Sequence, residues 1–266
     1  MDRIADYVFL RSLGQGNYGE FFLARPPPRI RLDAEYVAVK VLAGSATDDT
    51  FRRATKELRL FASVKSPYLV RLFDAGQDGD RFYYSMEYFP LGSLAAPARP
   101  LDRREVLTAV AHAAHAAHAL HETGIVHRDI KPANVLLHEG GAKLSDLGLA
   151  QLLSPGLTIT GLGPVASVEY MDPAIMRGER ASRATDVWSL GVTLHRALSG
   201  TGIYGELPEA DPLLTMHKVL NSKPALDPGL PPADAALVTA CLAKDPADRP
   251  RTAGEVADEI DALARG

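Results

Sequence analysis

The 266-residue chain is poor in cysteine, in tryptophan and in net charge. Its one cysteine, Cys241, can form neither an internal disulfide nor a thiolate metal cluster, which fits a reducing compartment such as the cytoplasm. Lys and Arg number 29 against 33 Asp and Glu, a formal charge of −4. The whole-chain basic field that would draw the protein onto nucleic acid or an anionic membrane is therefore missing. Long hydrophobic runs are missing too. The longest apolar stretch, Val106 to Leu120, is broken by His112, His115 and His118, whereas a bilayer span needs about 20 apolar residues. The opening residues MDRIADYVFLRSLG carry charges at positions 2, 3 and 6 and lack the apolar region of a signal peptide. A cytoplasmic protein is expected, with room for an anchor beyond residue 266 in a longer chain.

What is present is an ordinary globular composition, 46% hydrophobic and 23% charged, which excludes disordered, collagenous and coiled-coil classes. At about 150 residues per domain, the length suits one large domain or two lobes. Between Tyr7 and Leu42 the apolar residues come in short runs, YVFL, FFLA and YVAVKVL, separated by Gly-rich and Pro-rich breaks. That is the pattern of antiparallel strands and turns. Phe51, Ala54, Leu58 and Phe61 then recur at helical spacing, and YLVRLFDAG and RFYYSMEYF read as two more strands. Residues 1–88 thus predict a first lobe of about five strands and one helix. After the break PLGS, residues 89–266 are mainly helical, starting with an Ala-rich helix over 103–122. The fold class expected is α+β.

Three motifs carry chemistry. Gly14-x-Gly16-x-x-Gly19 lies between strand-like runs. A dinucleotide-binding unit would place a helix after Gly19, but Phe21-Phe22-Leu23-Ala24 reads as a strand. A glycine hairpin between strands suits phosphate oxygens, because absent Cβ atoms let backbone N–H groups approach. Val37-Ala38-Val39-Lys40 puts a lysine on a strand, costly if buried unless paired, and Glu57 on the following helix is the natural partner. An exposed lysine on a strand rim is the plainer alternative. His127-Arg128-Asp129-x-Lys131-x-x-Asn134 fixes five positions, and Asp146-Leu147-Gly148 follows.

In this order the motifs resemble the signatures of the eukaryotic-like (Hanks-type) Ser/Thr protein kinases. Ser85-Met86-Glu87-Tyr88 is similar to the family's hinge, Asp186-x-Trp188-x-x-Gly191 to its mid-lobe helix, and Asp245-Pro246 with Arg249-Pro250 to its late arginine motif. The Ala-rich and Arg-rich composition points to a bacterial member. The resemblance implies the bilobal protein-kinase fold, with residues 1–88 as N-lobe and 89–266 as C-lobe. It implies ATP with Mg²⁺, or Mn²⁺ in its place, and a protein substrate offering a serine or threonine. By the same resemblance Asp129 is the base, Lys131 neutralises the γ-phosphate, and Asn134 and Asp146 ligate the metal. Lys40, aimed by Glu57, pairs with the α and β phosphates. Leu13, Gly14, Gly16 and Gly19 shape the phosphate loop, the Glu87 carbonyl and Phe89 amide bind the base edge, Met86 guards the back of the pocket, and Ala38, Leu136 and Phe21 sandwich the purine. Thr158 and Thr160 are expected autophosphorylation sites, served by self-association and by Arg128.

The chain departs from the family at several points. Phe21 stands where valine is usual, and it either reshapes the pocket roof or turns outward. Ser167 replaces a threonine, and Asp172-Pro173-Ala174 replaces Ala-Pro-Glu. The family's glutamate would hold Arg249, and Ala174 has no carboxylate. A buried guanidinium without a partner costs several kcal/mol, on the order of the penalty for an uncompensated charge. Asp172 is the first expected substitute, followed by Glu179 and backbone carbonyls. His112, His115, His118 and His121 invite a metal, but steps of three rotate each side chain by about 60° from the last, so all four cannot converge on one ion. Two other classes stay open: a nucleotide-binding pseudokinase or scaffold, and a small-molecule phosphotransferase of related fold.

Overall fold

A computed structural model of the chain describes residues 2–16, 19–42, 48–146, 165–208 and 211–266. Within these the chain separates into two compact units, one drawn from the described residues of 2–63 and 70–89, the other from those of 64–69, 90–146 and 165–266.

The first unit is built on an antiparallel sheet. Its strands are β1 (Arg3–Ile4), β2 (Tyr7–Gly16), β3 (Gly19–Arg25), β4 (Val37–Leu42), β5 (Leu72–Asp78) and β6 (Arg81–Glu87). They lie in the order β1-β2-β3-β4-β6-β5. The strand beyond the five expected is β1, whose two residues pair with Val8 and Tyr7 and are too few to show an alternation. Strand β4 is buried at every position because it has neighbours on both edges and material on both faces. One face is a closed core of Ile4, Tyr7, Phe22, Ala24, Val37, Val39, Val41 and Tyr83. Tyr7 and Tyr83 meet edge to face at 5.7 Å. Burying each large apolar side chain there contributes about 1.5–3 kcal/mol.

The triple proline is more than a surface link. Pro27 is buried, and Ile30 and Leu32 pack on the core. Pro28–Ile30 forms a 3₁₀ turn, as proline's fixed φ favours. From it Arg29 reaches Asp6 and Asp74, both at 2.6 Å. Helix α1 (Asp48–Ser63) buries Ala54, Leu58 and Phe61, three of the four residues its spacing nominated; the side chain of the fourth, Phe51, lies outside the described residues.

The second unit is mainly helical. Its described helices are α2 (Arg103–Glu122), α3 (Pro173–Met176), α4 (Arg183–Ser199), α5 (Pro212–Asn221), α6 (Pro232–Cys241) and α7 (Ala253–Arg265). Asp102 starts α2 with a reciprocal cap: its side chain accepts from Glu105 N at 2.8 Å, and its N–H donates to Glu105 Oε2 at 3.0 Å. The alanines of α2 explain its place. Ala109, Ala113, Ala116 and Ala117 are fully buried, and the helix packs most extensively on α7, which buries Ala253, Val256, Ala257 and Ile260. Helix α4 is buried continuously from Thr185 to His195, as befits a helix surrounded by others. A small sheet in the order β10-β9-β7-β8 joins β7 (Gly92–Ser93) and β8 (Ala96–Pro97) to β9 (Val135–His138) and β10 (Gly141–Leu144), the last two following the 3₁₀ turn Pro132–Asn134. No described helix is long and apolar enough to cross a membrane.

Candidate active site

In the sheet unit, register sorts the candidate residues. Phe21 stands opposite Gly14 on β2 and Lys40 on β4, Gly16 opposite Gly19, and Ala38 opposite Met86 on β6. Residues directly opposite share a face, and so do residues two apart on one strand. Gly14, Gly16, Gly19, Phe21, Ala38, Lys40 and Met86 therefore lie on one face, away from the closed core. Gly19 is required by close approach to backbone, and Gly16 leaves room for a side chain. A Cβ on Gly19 would sit 2.1 Å from the Val41 carbonyl oxygen, and one on Gly16 would meet the Phe21 ring at 2.8 Å. Lys40 is 6% exposed, which removes the strand-rim alternative. Its ammonium lies 4.7 Å from the centre of the Phe21 ring and 5.9 Å from that of Tyr84. Phe21 accordingly turns inward, onto the glycine face.

Leu13 is half-buried at a bulge of β2, and Glu57 is half-buried on α1. Glu87 ends β6, its side chain accepting from Arg71 N and its N–H donating to the Arg71 carbonyl, both at 3.0 Å. Phe89 follows it, half-buried.

The second unit holds a dense polar cluster. Lys131 Nζ donates to both carboxylate oxygens of Asp129 at 2.9 Å and to Ser167 Oγ at 3.0 Å. Asn134 Nδ2 donates to the Asp129 carbonyl at 2.7 Å and to its Oδ2 at 3.0 Å. Lys131 and Asn134 are buried, so these charge-assisted bonds are worth more than they would be in water. The loop carrying them is tied down by Asp186, in the first turn of α4. That carboxylate accepts from His127 N at 2.8 Å, from Arg128 N at 2.9 Å and from His121 Nε2 at 2.7 Å. Such bonds offset the cost of a left-handed Arg128, at φ 70°. His127 is neutral with its proton on Nε2: Nδ1 accepts from Asp129 N at 3.3 Å, and Nε2 donates to the Ser145 carbonyl at 3.0 Å. Burial pushes its pKa below the usual histidine value.

Asp186 and Ser145 are the residues whose roles the sequence did not disclose. Asp186 was visible only as part of a helix motif. Ser145 donates its N–H to the Asn134 carbonyl at 2.8 Å and its hydroxyl to the same oxygen at 3.1 Å, fixing Asn134 beside Asp146. Leu136, on β9, is half-buried. Thr158, Thr160 and Leu147 lie outside the described residues.

The donor set fits a phosphate-bound Mg²⁺. Asn134 makes its side-chain bonds through Nδ2, which leaves its amide oxygen as a hard ligand. Among the described residues no group of three or more His, Cys, Asp or Glu could hold a metal ion alone. An ion held by Asn134 and Asp146 would need phosphate and water oxygens as well, which is the habit of Mg²⁺. The four histidines of α2 go to separate partners. His112 Nδ1 accepts from Ala142 N at 3.2 Å, His115 bonds Asp261 at 3.0 Å, His118 packs beside Gly254, and His121 holds Asp186.

Arg249 has the substitute partner its sequence demanded. Its NH1 donates to Asp172 Oδ2 at 2.5 Å and to the Ala184 carbonyl at 2.8 Å, and its Nε donates to the Ala243 carbonyl at 2.8 Å. The guanidinium also lies 5.0 Å from the Trp188 ring centre. Asp172 meanwhile caps α3, its Oδ1 accepting from Ala174 N at 2.9 Å. One carboxylate thus anchors both the helix start and the arginine.

Comparison with known proteins shows the family of the chain. A model of the protein kinase domain matches residues 7–259. The chain is 33% identical to the serine/threonine-protein kinase PrkC of Bacillus subtilis over 262 residues, covering 96% of this chain and 40% of PrkC. To PknB of Mycolicibacterium smegmatis it is 32% identical over 275 residues, covering 96% and 42%. The crystal structure of the Mycobacterium tuberculosis PknI kinase domain superposes with a TM-score of 0.72 at 25% identity, over 99% of this chain and 97% of that one. The chain belongs to the protein kinase family. Its relatives are bacterial Ser/Thr kinases, and it spans less than half the length of PrkC and PknB.

Proposed function

We propose that this domain transfers the γ-phosphoryl group of ATP to serine or threonine hydroxyls of proteins. The observation that carries the reading is Lys131, which joins the Asp129 carboxylate to the Ser167 hydroxyl within 3.0 Å. A lysine two residues after the base supports an aliphatic hydroxyl acceptor, by the family resemblance. Asp129 orients that hydroxyl and takes its proton as the oxygen bonds to phosphorus and the bond to ADP breaks. A placed base contributes about 10²–10⁴-fold. Lys131 neutralises charge on the transferring group. Asn134 and Asp146 would hold Mg²⁺, or Mn²⁺, which supplies charge neutralisation at the phosphates. On this reading residues 1–88 hold the nucleotide and 89–266 the acceptor. Lys40, ion-paired with Glu57, engages the α and β phosphates beside Gly14, Gly16 and Gly19. The Glu87 carbonyl and Phe89 amide bind the base edge, with Met86 behind it and Ala38 and Leu136 about the ring.

The proposal includes action in the cytoplasm, where ATP and Mg²⁺ are available. It also includes autophosphorylation between two copies at Thr158 and Thr160, with Arg128 receiving the phosphate. A pseudokinase lacks one of the required groups, and here Lys40, Glu57, Asp129, Asn134 and Asp146 are all present. The test is transfer from labelled ATP to a generic basic protein, with Asp129→Asn and Lys40→Met as controls. Transfer by the parent and its loss in both variants is expected. Nucleotide binding without transfer, or transfer only to a small molecule, would overturn the reading.

A further inference from the structure

Two adjacent phenylalanines of β3 go to opposite faces of the sheet. Phe22 enters the closed core and stacks on Phe9 at 4.0 Å, with the rings 3° from parallel. Phe21 points to the glycine face, where its ring occupies a defined position. It lies against Gly16, so closely that a Cβ there would fall 2.8 Å from its Cε2. The same ring receives the Lys40 ammonium at 4.7 Å from its centre. Phe21 therefore spans from the glycine hairpin to the lysine, the two features that phosphate oxygens would use. Valine, the residue usual at this place in the family, has neither the length to reach Gly16 and Lys40 together nor a π face to hold a cation.

We infer that Phe21 is an internal competitor for the phosphate position: its ring lies against the Lys40 ammonium that the ATP phosphates would use, and binding must turn it aside. The inference rests on the reading of Lys40 and the glycine hairpin as phosphate partners. It adds that the apparent affinity for ATP is set partly by a residue that takes no part in transfer, because ring and phosphates compete for one ammonium. A desolvated cation–π contact of this kind corresponds to about a two- to thirty-fold effect on an equilibrium. The cost falls on any ligand with phosphates at this position and spares one without them. Phe21 is thus a positioning residue, and it sets a threshold for ATP concentration.

The test compares the parent, Phe21→Val and Phe21→Leu by calorimetric titration with MgATP, MgADP and adenosine, and by steady-state kinetics. Phe21→Val should bind MgATP and MgADP about two- to thirty-fold more tightly and lower the KM for ATP, while adenosine binds all three chains alike. Phe21→Leu, which keeps bulk but loses the π face, should fall between parent and Phe21→Val. A merely structural role would lower the melting temperature and kcat together and leave KM in place. Unchanged or weaker MgATP binding by Phe21→Val overturns the competitor role, and weaker adenosine binding would reassign Phe21 to stacking on the purine. The underlying reading fails separately: if Lys40→Met binds MgATP as the parent does, or no chain binds nucleotide, the phosphate site itself is wrong, and the competitor falls with it.

Discussion

Arg29 of the sheet unit and Arg249 of the helical unit each grip several oxygens, in very different surroundings. The Arg29 side chain is 46% exposed, and that of Arg249 is 1% exposed. The contrast extends to their neighbours. In the helical unit Asp186, Asp172, Lys131 and Asn134 are all buried, and their bonds run to backbone groups as well as to each other. The sheet unit positions its glycines, Ala38 and Met86 by strand register instead, over an apolar core. Sheet register is enough to present backbone N–H groups and a flat apolar surface. The roles proposed for Asp129, Asn134 and Lys131 would need side chains fixed in angle as well, and a buried polar network supplies that.

The comparison can be broken most severely at Asp186. Replacement by alanine leaves two backbone N–H groups and His121 Nε2 without their acceptor, those of His127 and His121 buried and that of Arg128 partly so. A loss of about 4 kcal/mol or more is expected from three orphaned donors. Transfer should fall with it, because the loop bearing Asp129 is released. Chemical denaturation and the transfer assay read both effects. An Asp186→Ala protein with parental stability would show that the loop is held by other means.

Asp172→Ala comes next. It strands a guanidinium in the interior and removes the cap of α3, so about 3–5 kcal/mol is expected. Ala174→Glu, which restores the family's usual carboxylate, should destabilise the parent, because Ala174 is buried and Asp172 already occupies the arginine. In the Asp172→Ala background the same change should recover part of the loss. Absence of this coupling in the double-variant cycle would separate Arg249 from Asp172 energetically.

How much of this was legible in the sequence varied with the physics involved. The strands, the helix bearing Glu57, the glycine hairpin and the loop from His127 to Asn134 were readable because their signals are local. The Asp172–Arg249 pair was readable by a missing carboxylate, since a buried guanidinium requires an acceptor. The triple role of Asp186 was hidden, because it joins residues 58 to 65 positions apart that only the tertiary fold assembles. The direction of Phe21 was also hidden. A bulge between Ser12 and Gly14 shifts the pairing of β2, so alternation alone does not say which face receives it. Strand β1 escaped because two residues make no pattern.

Acid should sharpen the comparison from the helical side. Burial lowers the pKa of His112, His127 and His195, all in the helical unit. For a depressed histidine the unfolded chain binds the proton first. Stability is then full above the unfolded value of about 6.5 and falls as pH drops from there toward the folded pKa. Glu169 works the other way: burial raises its pKa, so its ionisation costs stability as pH climbs above its ordinary range. Between about pH 7.5 and 5.5 the histidines dominate, and stability is expected to fall as the pH drops. Melting temperatures that rise over that interval would refute it.

The smallest effect should come from Arg29→Ala. Hydrogen bonds that Arg29 donates to Asp6 and Asp74 hold the arginine's pKa above its ordinary value, and the same arginine holds Asp6 below the usual carboxylate range. Both Arg29 and Asp6 are nearly half exposed, so water and salt screen what the geometry offers. Exposed pairs contribute about 0–1 kcal/mol, and the upper end is expected because the contact to Asp6 is two-pronged. The remaining anchors of the proline turn, buried Pro27 with Ile30 and Leu32 on the core, do not depend on charge. The difference between parent and variant should therefore shrink further in 1 M salt, where the Debye length is about 3 Å. A salt-insensitive loss as large as that of Asp172→Ala would mean that the sheet unit, too, is built on its ion pairs, and the contrast between the two units would be gone.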